Sequence, residues 1–467
     1  MNRIDFLKKL GLTGTLLSIT KPSSTFGSST GQTEASTQVT TPTQLSSIKK
    51  AIVLGGGLSG LYSAYLLKQS GYQVTIVERG DRLGGRIFTF QDKLLGLTQD
   101  LGGEWIGEGQ SDIKTLVKQL GLNLKASPIG NQFRLQNSND ASLIQISKAS
   151  LETLEKVIDL HKSLSESQKQ GLDKINFASY ARYQGIAEEE VKSLSETYRT
   201  LMGGDLSQIS SESILNDLAS QESSLRPQYY ISGGAEKIIS GLIELLGKET
   251  EISLADQVTK VSQIKNSVQV ELASGRTLKA NLLICTIPPQ NLLDIKWLPT
   301  LPKDIVYSSL RMQTGRISKN LVICKKDERT SPFFQLTHTP AQSLYLSGEE
   351  AIGETTYAIT SLTTGDRSVL FEKGSETQRK ALLKLSLQET KSLETVEVFD
   401  NRYQFHSFSK NTGRSGFVSL FPPGSMGIKE PFFTSYERVF FAGEHLAKHT
   451  GTMDAAIESA IQAVNRI

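Results

Sequence analysis

Residues 50–80 read KAIVLGGGLSGLYSAYLLKQSGYQVTIVERG, and no other stretch restricts the fold so tightly. Ala51–Leu54 is a short apolar run suited to a buried parallel strand, and Gly55, Gly57 and Gly60 then fit G-x-G-x-x-G. A helix is expected from Leu58 to Ser70, stopped by Gly71, with a second strand over Val74–Val77. The first glycine permits a tight turn, the second lets the backbone approach a pyrophosphate, and the third lets helix and strand pack closely. Leu58 and Ser59 open the helix, whose unpaired N–H groups and positive dipole end attract phosphate. Glu78 ends the second strand, where its carboxylate can accept from ribose hydroxyls. The order of these parts points to a dinucleotide, NAD or FAD. The continuation DRLGGRIF favours FAD: Gly84, Gly85 and Arg86 place an arginine beside a glycine turn, where it can neutralise phosphate.

Bulk properties remove several other classes. The chain has 467 residues, 38% hydrophobic and 21% charged, which allows two or three domains with large cores. Net charge is +3 and the basic residues are scattered, so no stripe exists to follow a nucleic acid backbone. With Cys285 and Cys324 as the only cysteines, neither a disulfide framework nor a thiolate zinc site can be built. His445 and His449 are the only closely spaced histidines and no HExxH accompanies them, so no metal is expected.

The N-terminus differs from the rest. Residues 1–21 hold basic residues and then an apolar run, Leu10–Ile19, too short to anchor in a bilayer. The segment resembles a twin-arginine export signal with Ile4 in place of the second arginine. It implies export to the periplasm, or a cytoplasmic protein if the signal does not work, and no membrane span in the mature chain. Residues 22–48, rich in Ser, Thr, Gln and Pro, read as a disordered tether.

Near the C-terminus, VFFAGEH carries Val439–Phe441 into a core and breaks at Gly443, leaving Glu444 where ligands commonly sit in open α/β sheets. Together with VLGGGLSGL…VERGDRLGGR, DLGGEWIG (100–107), YYISGGAEKI (229–238), QVTKV (257–261), LFPPG (420–424) and FFAGEHLAKHTGTMDAAIESA, it makes the chain after residue 49 resemble the flavin-containing amine oxidases. That group includes the monoamine, polyamine and L-amino acid oxidases. The resemblance implies FAD, with Glu78 and Arg79 at its adenosine end, Arg86 at the diphosphate, and Gly102, Gly103, Glu104 and Trp105 beside the isoalloxazine. It further implies backbone contacts from Val258 to adenine, and Gly443 and Glu444 against the cofactor. Thr452, Met453, Asp454, Ala455 and Ala456 would open a last helix whose dipole stabilises the reduced flavin anion.

The resemblance also supplies a chemical centre. Lys319 lies four residues past Gly315 and just before the apolar run NLVIC. In the resembling enzymes such a lysine holds a water near the flavin, and a cation there favours electron transfer to oxygen. A lysine snorkelling to solvent is the plainer alternative. Gly416 stands where monoamine oxidases attach FAD to a cysteine, Phe417 and Thr452 replace their two facing tyrosines, and Trp105 replaces the arginine that clamps amino acid carboxylates. Non-covalent FAD, an amine substrate touched by Trp105, Phe417 and Thr452, and O2 as acceptor are therefore expected. Glu104 either attracts a second ammonium or belongs to a structural pair. An L-amino acid oxidase-like enzyme, a desaturase or dehydrogenase on this fold, and a non-catalytic FAD binder remain alternatives, and a homodimer is compatible with all of them.

The expected architecture is mixed α/β: a Rossmann-like FAD-binding domain with a parallel sheet, assembled from 49–108, 225–297 and 432–467, and a substrate domain of helices (109–224) and mixed sheet (298–431).

Overall fold

In a computed structural model the described residues are 49–128, 148–220, 227–327, 330–409, 416–434 and 436–467. The export-signal-like and tether segments lie outside them. The fold is mixed α/β and its centre is a parallel five-stranded sheet. Its strands run, in spatial order, Val439–Phe441, Leu282–Cys285, Lys50–Leu54, Gln73–Val77 and Glu251–Ser253, so pieces from both ends and the middle of the chain meet in one sheet.

Side chains of a strand alternate between faces, and both faces here are apolar because both are covered. Ala51 and Val53 enter a core formed with the helices Leu58–Gln69, Glu236–Leu246 and Met453–Val464. Ile52 and Leu54 enter a second core against the sheet that contains Val258–Ile264 and Ser267–Leu272. The VFF run obeys the same alternation: Phe440 joins the first core, Val439 and Phe441 the second.

Two further layers complete the molecule. Helices between Lys148 and Ala219 bury Tyr180, Val191, Leu194 and Met202 together with Val418 and Leu420. An antiparallel sheet runs in the order Phe333–Leu336, Ser343–Leu346, Thr356–Thr364, Ile317–Lys325, Val398–Ser407. Its long central strands are buried on both faces, which is why Ile317–Cys324 is sealed along its whole length, Lys319 included. Among the described residues no helix is long and apolar enough to cross a membrane.

Candidate cofactor and substrate site

Four parallel strands end at one cleft. Leu54 leads to Gly55, Val77 to Glu78, Cys285 to Thr286, and Phe441 through Ala442 to Gly443; of these flanking residues Gly55, Glu78, Thr286 and Gly443 all line it. The helix Leu58–Gln69 starts at Gly57 with no side-chain cap, so its first N–H groups remain available to an anion. A Cβ on Gly60 would lie 1.9 Å from the Gly55 carbonyl oxygen, and that closeness presses the helix start against the turn. Gly85, at φ +56°, packs on the Gly57 backbone, a left-handed conformation that glycine tolerates and other residues resist. Glu78 accepts from Gly56 N and Gly80 N, both at 2.7 Å, one per carboxylate oxygen, which leaves a lone pair on each for hydroxyl donors. The terminal helix also begins here, its N-terminus capped by Thr452, which accepts from Ala455 N at 3.0 Å. A cradle of bare backbone, a helix N-terminus and a carboxylate suits a nucleotide diphosphate with its ribose.

Glu444 occupies the tip of the VFFAG strand but does not face the cleft as a free carboxylate. Arg86 Nη1 donates to it at 2.7 Å, Ser419 Oγ at 2.6 Å and Gly451 N at 2.9 Å. Burial alone would raise its pKa, yet the Arg86 guanidinium, His445 and the Ser419 hydroxyl hold it below the usual carboxylate value. Arg86 also donates to Phe417 O at 2.6 Å, tying three distant segments together beside the cleft. His445 is pushed down to about 4 by burial, so it is neutral at ordinary pH and does not duplicate the arginine.

Next to Gly103, on the sheet side, lies a buried polar network. Lys319 Nζ donates to Asp100 O at 2.9 Å, Gly102 O at 3.1 Å and Glu104 Oε2 at 2.9 Å. An ammonium has three N–H donors and each has a protein acceptor. Glu104 in turn accepts from Gln99 Nε2 at 3.0 Å and from the Tyr345 hydroxyl at 3.2 Å. Both ends of the ion pair are sealed, with side chains 3% and 4% exposed. The Lys319 charge sits 5.3 Å from the Trp105 ring centroid and 5.7 Å from that of Tyr345. Asp100 accepts from Ala235 N at 3.0 Å and from Thr89. Burial and the nearby Glu104 push it up to about 7. Trp105, Phe334, Tyr345 and Phe417 gather around this network as one aromatic cluster, which also takes in Leu336 and Leu362.

The structure divides the expected site residues into two groups. Gly55, Gly57, Leu58, Ser59, Glu78, Arg79, Gly85, Arg86, Gly103, Val258, Phe417, Gly443, Glu444, Thr452, Met453 and Ala456 line the cleft. Gly60, Gly102, Glu104, Trp105, Lys319, Asp454 and Ala455 do not; they support it from behind or beside. Asp454, for instance, turns away and accepts from Ile113 N at 2.8 Å. Sequence reasoning missed Asp256, Gln257, Thr286, Pro288 and Asn291, which also line the cleft. Thr286 was within reach, since it follows the apolar LLIC strand at its carboxyl end, the position that singled out Glu78 and Glu444. Gln99 and Tyr345 of the buried network had no local signal, and Asp100 was visible only as the first residue of DLGGEWIG.

The sequence profile of the family described as flavin containing amine oxidoreductase matches residues 58–467. An L-amino-acid oxidase of Gloydius blomhoffii is 24% identical, with 90% of this chain and 89% of the relative aligned. The flavin-containing amine oxidase B of Bos taurus is 25% identical over 91% and 86% of the two chains. Polyamine oxidase 4 of Oryza sativa is 23% identical over 90% and 89%. Among solved structures, the cyclohexylamine oxidase from Brevibacterium oxydans superimposes with a TM-score of 0.74 at 19% identity, covering 90% of this chain and 98% of that one. With the profile spanning both the glycine-rich turn's helix and the terminal helix, the chain belongs to the flavin-containing amine oxidoreductase family.

Proposed function

We propose that the protein is an FAD-dependent oxidase of amines, taking a C–N bond to the imine and reducing O2 to H2O2, with FAD held non-covalently. The observation that carries this reading is the aromatic cluster of Trp105, Phe334, Tyr345 and Phe417, whose buried cation, Lys319, is already neutralised by Glu104. A free amino acid would bring its carboxylate to a place with no uncommitted positive charge, whereas a neutral amine needs none. The commitment of Glu104 to three protein donors likewise argues against a second ammonium at that carboxylate. Non-covalent attachment is supported by the cysteines: Cys285 and Cys324 are both buried in cores, and neither lines the cleft.

The chemistry that bound FAD would supply is uptake of one hydride, that is two electrons with a proton, from the amine-bearing carbon as the nitrogen gives up a proton, and return of the two electrons to O2 with two protons. The residues present fit it. The N-terminus of Leu58–Gln69 and Arg86 suit the diphosphate, Glu78 the ribose, and Val258 with its neighbours the adenine. Phe417 and Thr452 at the cleft, with Trp105 beside Phe417 in the aromatic cluster, exclude water, and the two aromatic rings offer π faces to the amine. Lys319 is the residue we assign to the reaction centre, as a fixed positive charge whose three bonds also hold the 100–104 strip in place. In this reading 49–108, 225–297 and 432–467 form the FAD-binding part, 109–224 and 298–431 the substrate part, and the N-terminal segment directs export.

Anaerobic mixing of the flavin-loaded protein with amine and amino-acid panels, followed by admission of air, tests the proposal. Bleaching by amines and fast reoxidation with peroxide are expected. Bleaching by amino acids alone would replace the substrate class, slow reoxidation would indicate a dehydrogenase or desaturase, and no bleaching by any member would leave a binding protein.

A further inference from the structure

A second cavity, of about 660 Å³, lies between the helical layer and the C-terminal segment. It shares no lining residue with the cofactor cleft but is separated from it by little: Ser419 on its wall donates to Glu444 on the cleft wall at 2.6 Å, and its Thr450 precedes the cleft's Gly451.

The two walls of this cavity differ in chemistry. The acids on the helical side are committed. Glu166 pairs with Lys169 at 3.2 Å, Glu212 with His161 at 2.8 Å, and Asp173 accepts from Met426 N at 2.9 Å. On the C-terminal side the capacity is open. Lys429 is half-buried and donates to a single acceptor, Ala447 O, at 2.6 Å. Arg466 gives its three bonds to the main-chain carbonyls of Gln462, Phe432 and Phe441. Glu444, Glu458 and Glu430 act on Lys429 through space, but among the described residues no carboxylate reaches ion-pair distance of either cation. On the same wall two buried polar atoms, Ser425 Oγ and His449 Nδ1, have no protein partner. Buried polar groups are rarely left so, and here both face one cavity together with Lys429 and Arg466. Tyr198, Met202, Ile209, Leu420 and Leu446 supply apolar surface around the rest of that space.

We propose that this cavity binds an amphipathic carboxylate, its anionic head against Lys429, Arg466, Ser425 and His449 and its apolar body against Tyr198, Met202 and Leu420. Glu166, Glu212 and Asp173 are turned to protein donors, which draws their charge away from such a head. Occupancy completes the bonding of Lys429 and supplies the counter-ion that Arg466 lacks. It also places a negative charge one layer behind the Glu444–Arg86 contact, so binding and the cofactor cleft are coupled.

The test uses the flavin-loaded full-length chain and does not depend on turnover. Decanoate, decanol and decyltrimethylammonium are titrated calorimetrically, and a diazirine-bearing decanoate is crosslinked and mapped by peptide analysis. Decanoate is expected to bind at least tenfold tighter than the other two and to label peptides within 198–217 or 420–449. Lys429→Met should weaken it at least tenfold with the flavin spectrum unchanged in intensity. Decanoate binding no tighter than decanol, label confined to the aromatic cluster around Phe334 and Tyr345, or full affinity in folded Lys429→Met each overturns the proposal. Should Lys429→Met fail to fold, the wild-type ranking and the crosslink map decide alone.

Discussion

Replacing Lys319 by methionine keeps much of the side chain's bulk and removes one charge from a sealed network. The loss has two parts. Glu104, 4% exposed, becomes a buried carboxylate with only Gln99 and Tyr345 as donors, the Gly102 carbonyl loses the Lys319 donor, and the Asp100 carbonyl keeps only Gln99 Nε2 at 3.3 Å. Breaking a buried ion pair from one side costs about 3–5 kcal/mol, because the remaining charge is left without a counter-ion. Glu104→Gln alone strands the ammonium in the same way. The double variant is neutral throughout, so its loss should fall short of the sum of the single losses by about 1–3 kcal/mol. Denaturant unfolding at one saturating flavin concentration measures all four corners of this cycle, with binding linkage held constant. Turnover on the best amine of the panel, measured on the same four proteins, separates roles. If Lys319 serves the chemistry as well as the fold, the double variant recovers stability without recovering rate. A coupling below about 0.5 kcal/mol would refute the buried pair as described, and parallel recovery of stability and rate would reduce Lys319 to a positioning residue.

Other perturbations follow from the same geometry. Gly60→Ala puts a Cβ 1.9 Å from Gly55 O, so the helix start must move; retained flavin per protein, read from absorbance, should drop severely. Asp100 is raised from 3.8 to about 7, so between those values the folded chain holds a proton the unfolded chain has released. Stability should therefore fall as pH rises from about 4 to about 7, by up to ~4 kcal/mol, and level off above. Asp100→Asn should flatten that slope in a pH series of unfolding midpoints; an unchanged slope assigns it elsewhere. Glu444→Gln leaves the Arg86 charge with only a carbonyl partner and should weaken flavin retention, whereas trichloroacetic acid precipitation of the wild type should release all its flavin, since neither cysteine lines the cleft.

Legibility in the sequence depended on how local each signal was. The turn at Gly55, the helix from Leu58 and the strand ending at Glu78 lie within thirty-odd residues, and hydrophobic period and glycine spacing suffice to read them. Glu444 was legible as a strand-tip carboxylate, but its partners Arg86 and Ser419 were not, because contacts across hundreds of residues leave no local periodicity. Lys319 stood out through the resemblance, four residues past Gly315, and as a charge beside an apolar run. That it is clamped by the backbone of 100–102 and paired with Glu104 depends on how the antiparallel sheet packs beside the cofactor cleft.

The sequence by itself determined the mixed α/β class, the glycine-rich turn between strand and helix and the apolar alternation of the strands that build it, since each follows from backbone sterics and side-chain period over short spans. Only the tertiary structure decided which charges are free. Arg86, Glu104, Glu444 and Lys319 read alike as candidate site charges, and burial beside specific partners pairs all four with one another while leaving Lys429 and Arg466 with carbonyls alone. A low-dielectric interior makes such pairing obligatory wherever it can be met, and which partners meet is a property of the packed chain, not of its order.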